Sequence, residues 1–245
     1  AIQFHLKGNI PEATKYYQYC IKQGFNDHRV FSNYAGILQG LGKLKEAEIS
    51  TRKAIKIKPD FAEAHNNLGN ILRDLGKLQE AEISTRKAIK IKPDFAEAHT
   101  NLGNILRDLG KLQKAEISTR KAIEIKPDFA EAHTKLGNIL NDLGQLKELI
   151  LLSKSTLESN SINQGYKLLA SLRLTIANLL LQNFPETLLS LNKTNKLINQ
   201  GAFNTIKNEQ NRENSLNFSR FLNSLYPLLE KENKYPDSKR ITHLG

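Results

Sequence analysis

A 34-residue period constrains this chain more than any other feature of its sequence. Prolines and glycines keep this spacing: Pro59, Pro93 and Pro127, and Gly42, Gly76, Gly110 and Gly144. Two consecutive blocks, 62–95 and 96–129, differ only at the position pairs Asn66/Thr100, Glu80/Lys114 and Lys90/Glu124. Such a period is typical of a stacked helical array, because one repeat cannot bury its own apolar face and needs neighbours on both sides.

The block 62–95 predicts two helices joined by a tight turn. In its first half, apolar or small residues recur at spacings of three and four: Ala62, His65, Leu68, Gly69, Leu72 and Leu75. Gly76 should end this helix, since glycine readily adopts the left-handed conformation of a C-terminal cap. A second stripe then begins: Leu78, Ala81, Thr85, Ala88 and Ile89. Pro93 breaks the chain before the next pair of helices.

These positions resemble the tetratricopeptide repeat family, whose pattern they match in type and spacing: Leu68-Gly69, Leu72, Gly76, Ala81, Ala88 and Pro93. Within that family, the string AHNNLGNILRDLGKLQEAE at 64–82 is most similar to the superhelical repeats of O-linked N-acetylglucosamine transferase. Large aromatic residues of the family pattern are replaced here by His65, His99 and His133, and by Thr51, Thr85 and Thr119. The resemblance implies an all-α, right-handed superhelical solenoid whose first helices line a concave groove.

The period also predicts the domain organisation. We expect a repeat array over 1–163, with a partial repeat at 1–27, repeats at 28–61, 62–95 and 96–129, and a degenerate repeat at 130–163. A degenerate helical hairpin should follow at 164–201, where the pattern returns with a shift of 40 residues, and 202–245 should form a helical cap and linker. The chain lacks methionine and begins inside a repeat, so we expect it to be a fragment. A missing domain after Gly245 is a hypothesis.

Three rows of polar residues are expected along the concave groove. Two are asparagine rows, and the third is arginine: Asn33, Asn67 and Asn101; Asn70, Asn104 and Asn138; Arg73 and Arg107. An amide both donates and accepts hydrogen bonds, so it can pair with a peptide group without reading its side chain. The rungs should lie roughly 10 Å apart, the spacing of packed helices. The groove is therefore predicted to bind an extended peptide, and the resemblance to the transferase repeats implies the same use of the first row.

Other interpretations of the groove remain open from sequence. Lys135 interrupts the first asparagine row, and the asparagines could be solvated copies duplicated with the repeat. Asp74 and Asp108 stand next to the two arginines and could neutralise them. Asn66, Thr100 and Thr134 are also expected to face the groove. A carboxylate clamp of the kind used by chaperone-binding members of the family needs lysine at these positions, so we do not expect that activity.

Charge and composition limit the partner classes. The net charge of +11 suggests nucleic acid, but the basic residues of the second helix alternate with acidic ones, as Arg86 and Lys87 do with Glu80 and Glu82. A helix face of mixed sign is usually only solvated, so no nucleic-acid partner is expected. No apolar run approaches the roughly 18 to 20 residues of a membrane span. With no signal peptide and one cysteine, we expect a cytoplasmic protein without a membrane partner.

The sequence gives little support for a catalytic or metal-binding site. His65, His99 and His133 are a helix diameter apart, whereas zinc ligands lie about 2 Å from the metal, so these histidines should be packing residues. Cys20 occupies the position of Ala54 in the next repeat and should be a small core residue. The glycines are dispersed and form no phosphate loop. We expect no catalytic residue, no metal and no cofactor.

Three functions are consistent with the sequence. The first is a scaffold that binds a protein or peptide through the concave groove. The second is the substrate-recognition arm of a larger enzyme, such as a glycosyltransferase, whose catalytic domain lies outside this chain. The third is a structural spacer with no dedicated ligand, for which substitution of the groove asparagines would change no interaction.

Overall fold

The computed structural model describes residues 1–202, apart from the side chains of Ile2 and His5, and the single positions 217, 220, 224 and 227. This part of the chain contains α-helices and no strand, which confirms the all-α prediction. Its helices are α1 (Ile2–Leu6), α2 (Ile10–Lys22), α3 (His28–Gly40), α4 (Leu44–Ile57), α5 (Ala62–Asp74), α6 (Leu78–Ile91), α7 (Ala96–Asp108), α8 (Leu112–Ile125), α9 (Ala130–Asp142), α10 (Leu146–Glu158), α11 (Gln164–Leu180) and α12 (Phe184–Asn199).

Consecutive helices pack as pairs, α3 with α4, α5 with α6 and α7 with α8, as expected for a helical solenoid. The chain divides into two compact units, the first covering residues 1–126 and the second residues 127–245. Unit 1 therefore contains α1 to α8, and the described helices of unit 2 are α9 to α12. The cap and linker expected beyond residue 202 lie outside the described residues, apart from the four single positions.

The turn within each pair follows the prediction from glycine. Helix α5 ends at Asp74, and Gly76 has φ +74°, a conformation that costs other residues steric strain. Two backbone hydrogen bonds close this turn, from the amide of Gly76 to the Arg73 carbonyl (2.9 Å) and from the amide of Lys77 to the Leu72 carbonyl (2.8 Å). The turn satisfies carbonyls that the end of the helix would otherwise leave unpaired.

The two helices of a pair approach closely because small residues face each other. Ala81 and Ala88 of α6 have no exposed surface, and Gly69 of α5 lies so close to Thr85 that a β-carbon would overlap the threonine hydroxyl. The Thr85 hydroxyl itself donates to the carbonyl of Ala81 (2.9 Å) within its own helix. Ser84 adds a hydrogen bond between the helices, donating to the carbonyl of His65 (2.9 Å).

The buried arc of each first helix is wider than the sequence stripe suggests. Ala64 and Ile71 are fully buried although neither belongs to the predicted stripe, and Asn66 and Thr100 are 6% and 1% exposed. The expectation that Asn66 and Thr100 face the groove is therefore wrong. The reason is that a first helix packs against its own partner, the preceding second helix and neighbouring first helices at once.

Unit 2 keeps the paired arrangement with a different core. Helix α10 packs on α9 and α11, and α11 packs on α12. Leu149 stands where earlier repeats have alanine and is 1% exposed. The interface of α11 and α12 also contains buried hydroxyls, and Ser171 Oγ lies 2.7 Å from Thr194 Oγ1. Pro185 falls in the first turn of α12, where its missing amide hydrogen is not needed. Assignment of 164–201 as a degenerate repeat stays a prediction.

Candidate peptide-binding groove

The first helices of unit 1 form one continuous inner surface. Helix α3 contacts α5, and α5 contacts α7, while the second helices lie behind them. We call the surface of α3, α5 and α7 that carries Asn33, Asn67 and Asn101 the inner groove. Its helices are parallel to one another, so equivalent side chains recur once per repeat.

The first asparagine row is held by hydrogen bonds between repeats. The Asn67 side-chain amide donates to Ser32 Oγ of the preceding first helix (3.3 Å), and the Asn101 amide donates to Asn66 Oδ1 (2.9 Å). Both asparagines are half-buried. Each bond uses one of the two amide hydrogens, so a second hydrogen and the Oδ1 acceptor remain on each side chain.

Asn33, the first residue of this row, has a different kind of neighbour from Asn67 and Asn101. Asn33 interacts with the phenol of Tyr17, which belongs to α2 and has no exposed surface. Burial raises the pKa of Tyr17, and the hydrogen bond with the Asn33 side chain acts in the opposite direction. At this end of the row, the neighbour of the asparagine is therefore the phenol of Tyr17 from α2.

The three asparagines of the second row differ in exposure and in hydrogen-bond partners. Asn70 is half-buried, but Asn104 is only 8% exposed. Asn138 belongs to unit 2, where its Oδ1 accepts a hydrogen bond from Arg173 (2.9 Å). Little of the amide of Asn104 can reach a ligand, so the first row is the stronger candidate.

The arginines of the groove are engaged in pairs between repeats. Arg73 Nε donates to Asp108 Oδ2 (2.5 Å), and Gln39 Nε2 donates to Asp74 Oδ2 (2.7 Å). Arg73 is therefore neutralised by an aspartate of the groove, but by Asp108 of the next repeat and not by its neighbour Asp74. Adjacent residues of a helix point about 100° apart, so the next repeat offers the better partner. Arg107 also has an interaction partner.

The three repeated histidines hold the turn before their own helix. Nε2 of His65, His99 and His133 donates to the carbonyls of Pro59 (3.0 Å), Pro93 (2.9 Å) and Pro127 (2.8 Å). A carbonyl can only accept, so this nitrogen carries the hydrogen. The histidines thus have a structural role. Across the described residues, no group of three or more metal-binding side chains comes together.

Cys20 is less covered than expected. Its repeat equivalents Ala54, Ala88 and Ala122 have no exposed surface, whereas Cys20 is half-buried. The first helix of its pair, α1, is only five residues long and covers less of α2. The residue is an edge position of the core.

Sequence reasoning missed Arg173 of α11. This side chain lies across Gly137 of α9, and its Cδ would be 3.0 Å from a β-carbon placed there. Burial lowers the pKa of Arg173 to about 10. The 34-residue register ends before α11, so no repeat equivalent marked this residue in the sequence.

Sequence models of the tetratricopeptide repeat match residues 28–61, 62–95 and 96–129. These three segments are therefore tetratricopeptide repeats, which confirms the family resemblance of the repeat pattern. No curated protein sequence is significantly similar to this chain.

Solved structures of tetratricopeptide proteins share the fold. The crystal structure of YrrB, described as a TPR protein with an unusual peptide-binding site, is 21% identical with a TM-score of 0.57, covering 74% of this chain and 91% of YrrB. A MamA crystal structure is 24% identical (TM-score 0.54; 62% and 83% covered). A MamA fragment from Desulfovibrio magneticus RS-1 is 21% identical (TM-score 0.52; 58% and 80% covered). The likeness to the transferase repeats is not shown by these comparisons and stays a prediction.

None of the helices described here has the length and apolarity that crossing a lipid bilayer requires.

Proposed function

We propose that this protein is an interaction scaffold whose inner groove binds an extended segment of another protein by its backbone. The observation that carries the proposal is the orientation of Asn67 and Asn101. A hydrogen bond to the preceding repeat fixes each side chain and leaves a donor and an acceptor on the same amide. Two fixed amides on neighbouring first helices suit the alternating donors and acceptors of an extended peptide.

The engaged charges of the groove support backbone recognition over charge recognition. Arg73 is bound to Asp108, so an acidic ligand would have to displace an existing ion pair to use it. Asn66 and Thr100 are buried, so two of the positions that a carboxylate clamp would use are also closed. The description of YrrB as a peptide-binding protein of the same fold is consistent with this proposal.

The test is a selection of peptides on the intact chain, followed by binding measurements. Random peptides selected on the protein should lose at least tenfold in affinity for the double variant Asn67→Ala, Asn101→Ala, because two hydrogen-bonding rungs are lost. Gln79→Ala with Gln113→Ala is the matched control, since these exposed amides lie on the second helices.

A second measurement separates backbone from side-chain recognition. Methylation of backbone nitrogens in a selected peptide should abolish binding, whereas replacement of its side chains by alanine should weaken it gradually. Circular dichroism of the double variant must show the helical content of the unmodified protein. The proposal fails if the folded double variant keeps full affinity, or if methylated peptides bind as well as unmodified ones.

A further inference from the structure

A second groove lies on the opposite side of unit 1, between the second helices α6 and α8. Both helices pack on α7, and the space left between them has a volume of about 760 Å³. We call it the outer groove. Leu102 and Leu106 of α7 form its floor, and Ile89 and Ile117 form its walls. Ile117 is 70% exposed, so the groove presents apolar surface that the described residues leave uncovered.

The preceding repeat has a carboxylate at the equivalent place. Between α4 and α6, Arg52 donates to Glu80 Oε2 (3.2 Å) across the gap, in addition to its bond with Glu48 (2.8 Å). The carboxylate of Glu80 therefore lies between the second helices α4 and α6. Glu80 is one of only three positions at which the repeat 62–95 differs from the next.

In the outer groove this carboxylate is replaced by a cation. Lys114 stands at the position of Glu80, and Arg86 stands at the position of Arg52. Arg86 keeps its bond with Glu82 (2.8 Å), but the carboxylate across the gap is gone and two positive side chains line the same end of the groove. Arg86 is paired with Glu82, but the position that faces it on α8 carries Lys114 instead of a carboxylate, so this end of the groove favours an anionic group of a ligand.

The other end of the outer groove contains a carboxylate among further basic side chains. Glu124 replaces the lysine found at position 90 of the preceding repeat, and it accepts a hydrogen bond from Lys121 (2.7 Å). Lys90 and Arg120 also line the groove, so its rim is basic beside the apolar walls. This arrangement favours a ligand that carries carboxylates next to apolar side chains.

We propose that the outer groove docks an acidic amphipathic helix of a partner protein, whose carboxylate takes the place that Glu80 fills one repeat earlier. Apolar side chains of this helix contact Leu102, Leu106 and Ile117. Helix α8 has 14 residues, so the groove offers about four turns of length. Helix-in-groove binding uses apolar anchors one turn apart, which this floor and wall can accept.

The charge of the chain argues against a second copy as the occupant. The protein carries a net charge of +11, so two copies repel one another at long range, and the groove itself has a basic rim. An acidic partner is attracted to the same rim. This proposal does not depend on the asparagines of the inner groove, although α7 contributes side chains to both surfaces.

The first test uses a fluorescein-labelled peptide with leucines at helical spacing and a glutamate cluster at one end. Its affinity for the full chain is measured by fluorescence anisotropy. The same peptide with lysines in place of the glutamates is the charge control. The acidic peptide should bind, and its affinity should fall as salt is raised, whereas the lysine peptide should not bind.

Two matched pairs of variants locate the site. Lys114→Glu copies the preceding repeat and should lower the affinity about tenfold, since the new carboxylate pairs with Arg86 and repels the peptide. Glu80→Lys makes the preceding groove resemble this one and should raise the stoichiometry from one peptide to two. Ile117→Ser should weaken binding about tenfold through lost apolar contact, while Ile83→Ser in the preceding groove should not.

Several results would overturn the proposal. A basic surface attracts an acidic peptide without any groove, so equal losses with Ile83→Ser and Ile117→Ser would show nonspecific attraction. Absence of binding, or unchanged affinity in Lys114→Glu, would rule out this occupant. Self-association in sedimentation experiments that Lys114→Glu removes would identify a second copy instead. Full retention of binding in the inner-groove variant Asn67→Ala, Asn101→Ala is the result expected for an independent site.

Discussion

The repeats 62–95 and 96–129 differ at three positions, and each difference changes a contact while the helices keep the same bounds in register. Asn66 accepts a hydrogen bond from the next repeat, whereas the Thr100 hydroxyl donates to Ala96 in its own helix (3.1 Å). Glu80 bridges two second helices, and Lys114 cannot do so. The array therefore varies its polar contacts, including a buried one, while its helices and its apolar core stay the same.

The core positions of the two repeats should be energetically equivalent. Ile71 and Ile105 have no exposed surface and occupy the same place in α5 and α7. Replacing either by alanine should lower the free energy of unfolding by about 2–5 kcal/mol, through lost burial and the cavity left behind. Urea unfolding followed by circular dichroism measures both costs.

The control for these variants is Ile117→Ala, which should change stability little because this side chain is 70% exposed. The two repeats are not equivalent if the losses in free energy of unfolding for Ile71→Ala and Ile105→Ala differ by more than about 2 kcal/mol. Such a difference is well above the usual error of additivity. The repeats would then be energetically distinct despite their near-identity.

The period predicts such core features well because they depend on local spacing. Gly76 ends α5 and Leu78 begins α6, as the sequence indicates, since cap chemistry acts within one turn. Contacts between repeats are predicted less well. The partner of Arg73 is Asp108 and not its neighbour Asp74, and the burial of Asn66 depends on helices from other repeats. Arg173 lies beyond the 34-residue register, so no equivalent position in another repeat predicts its role.

The exchange of Asn66 for threonine should have a smaller effect. Asn66→Thr copies the next repeat and removes the acceptor of the Asn101 amide, so the free energy of unfolding should fall by about 1 kcal/mol. A double-mutant cycle with Asn101→Ala measures the coupling directly, and most of the loss should disappear when Asn101 is absent. Additive losses would show that the hydrogen bond between repeats contributes nothing.

The smallest effect concerns the acidic residues that join second helices. Glu82 accepts hydrogen bonds from Arg86 (2.8 Å) and from Lys111 of the next repeat (2.7 Å), whereas Glu116 is bound to Arg120 (2.8 Å) and the position after its repeat is Gln145. The hydrogen bond from Lys111 is the main cause that holds the pKa of Glu82 below its ordinary value, although burial opposes it. Glu82 should therefore stabilise the fold more than Glu116 does.

The lowered pKa of Glu82 determines how its contribution to stability changes with pH. Because the pKa of Glu82 is lower in the folded state, its stabilisation is complete above the unfolded pKa of about 4.3 and is lost as pH falls through the folded value. Glu82→Gln should cost about 0.5–1 kcal/mol at neutral pH, a modest figure because Arg86 and Lys111 are well exposed. The difference from the unmodified protein should vanish in acid, and urea unfolding across this pH range measures it. Glu116→Gln is the matched control, and an equal cost at neutral pH would show that the bridge from Lys111 adds nothing to the fold.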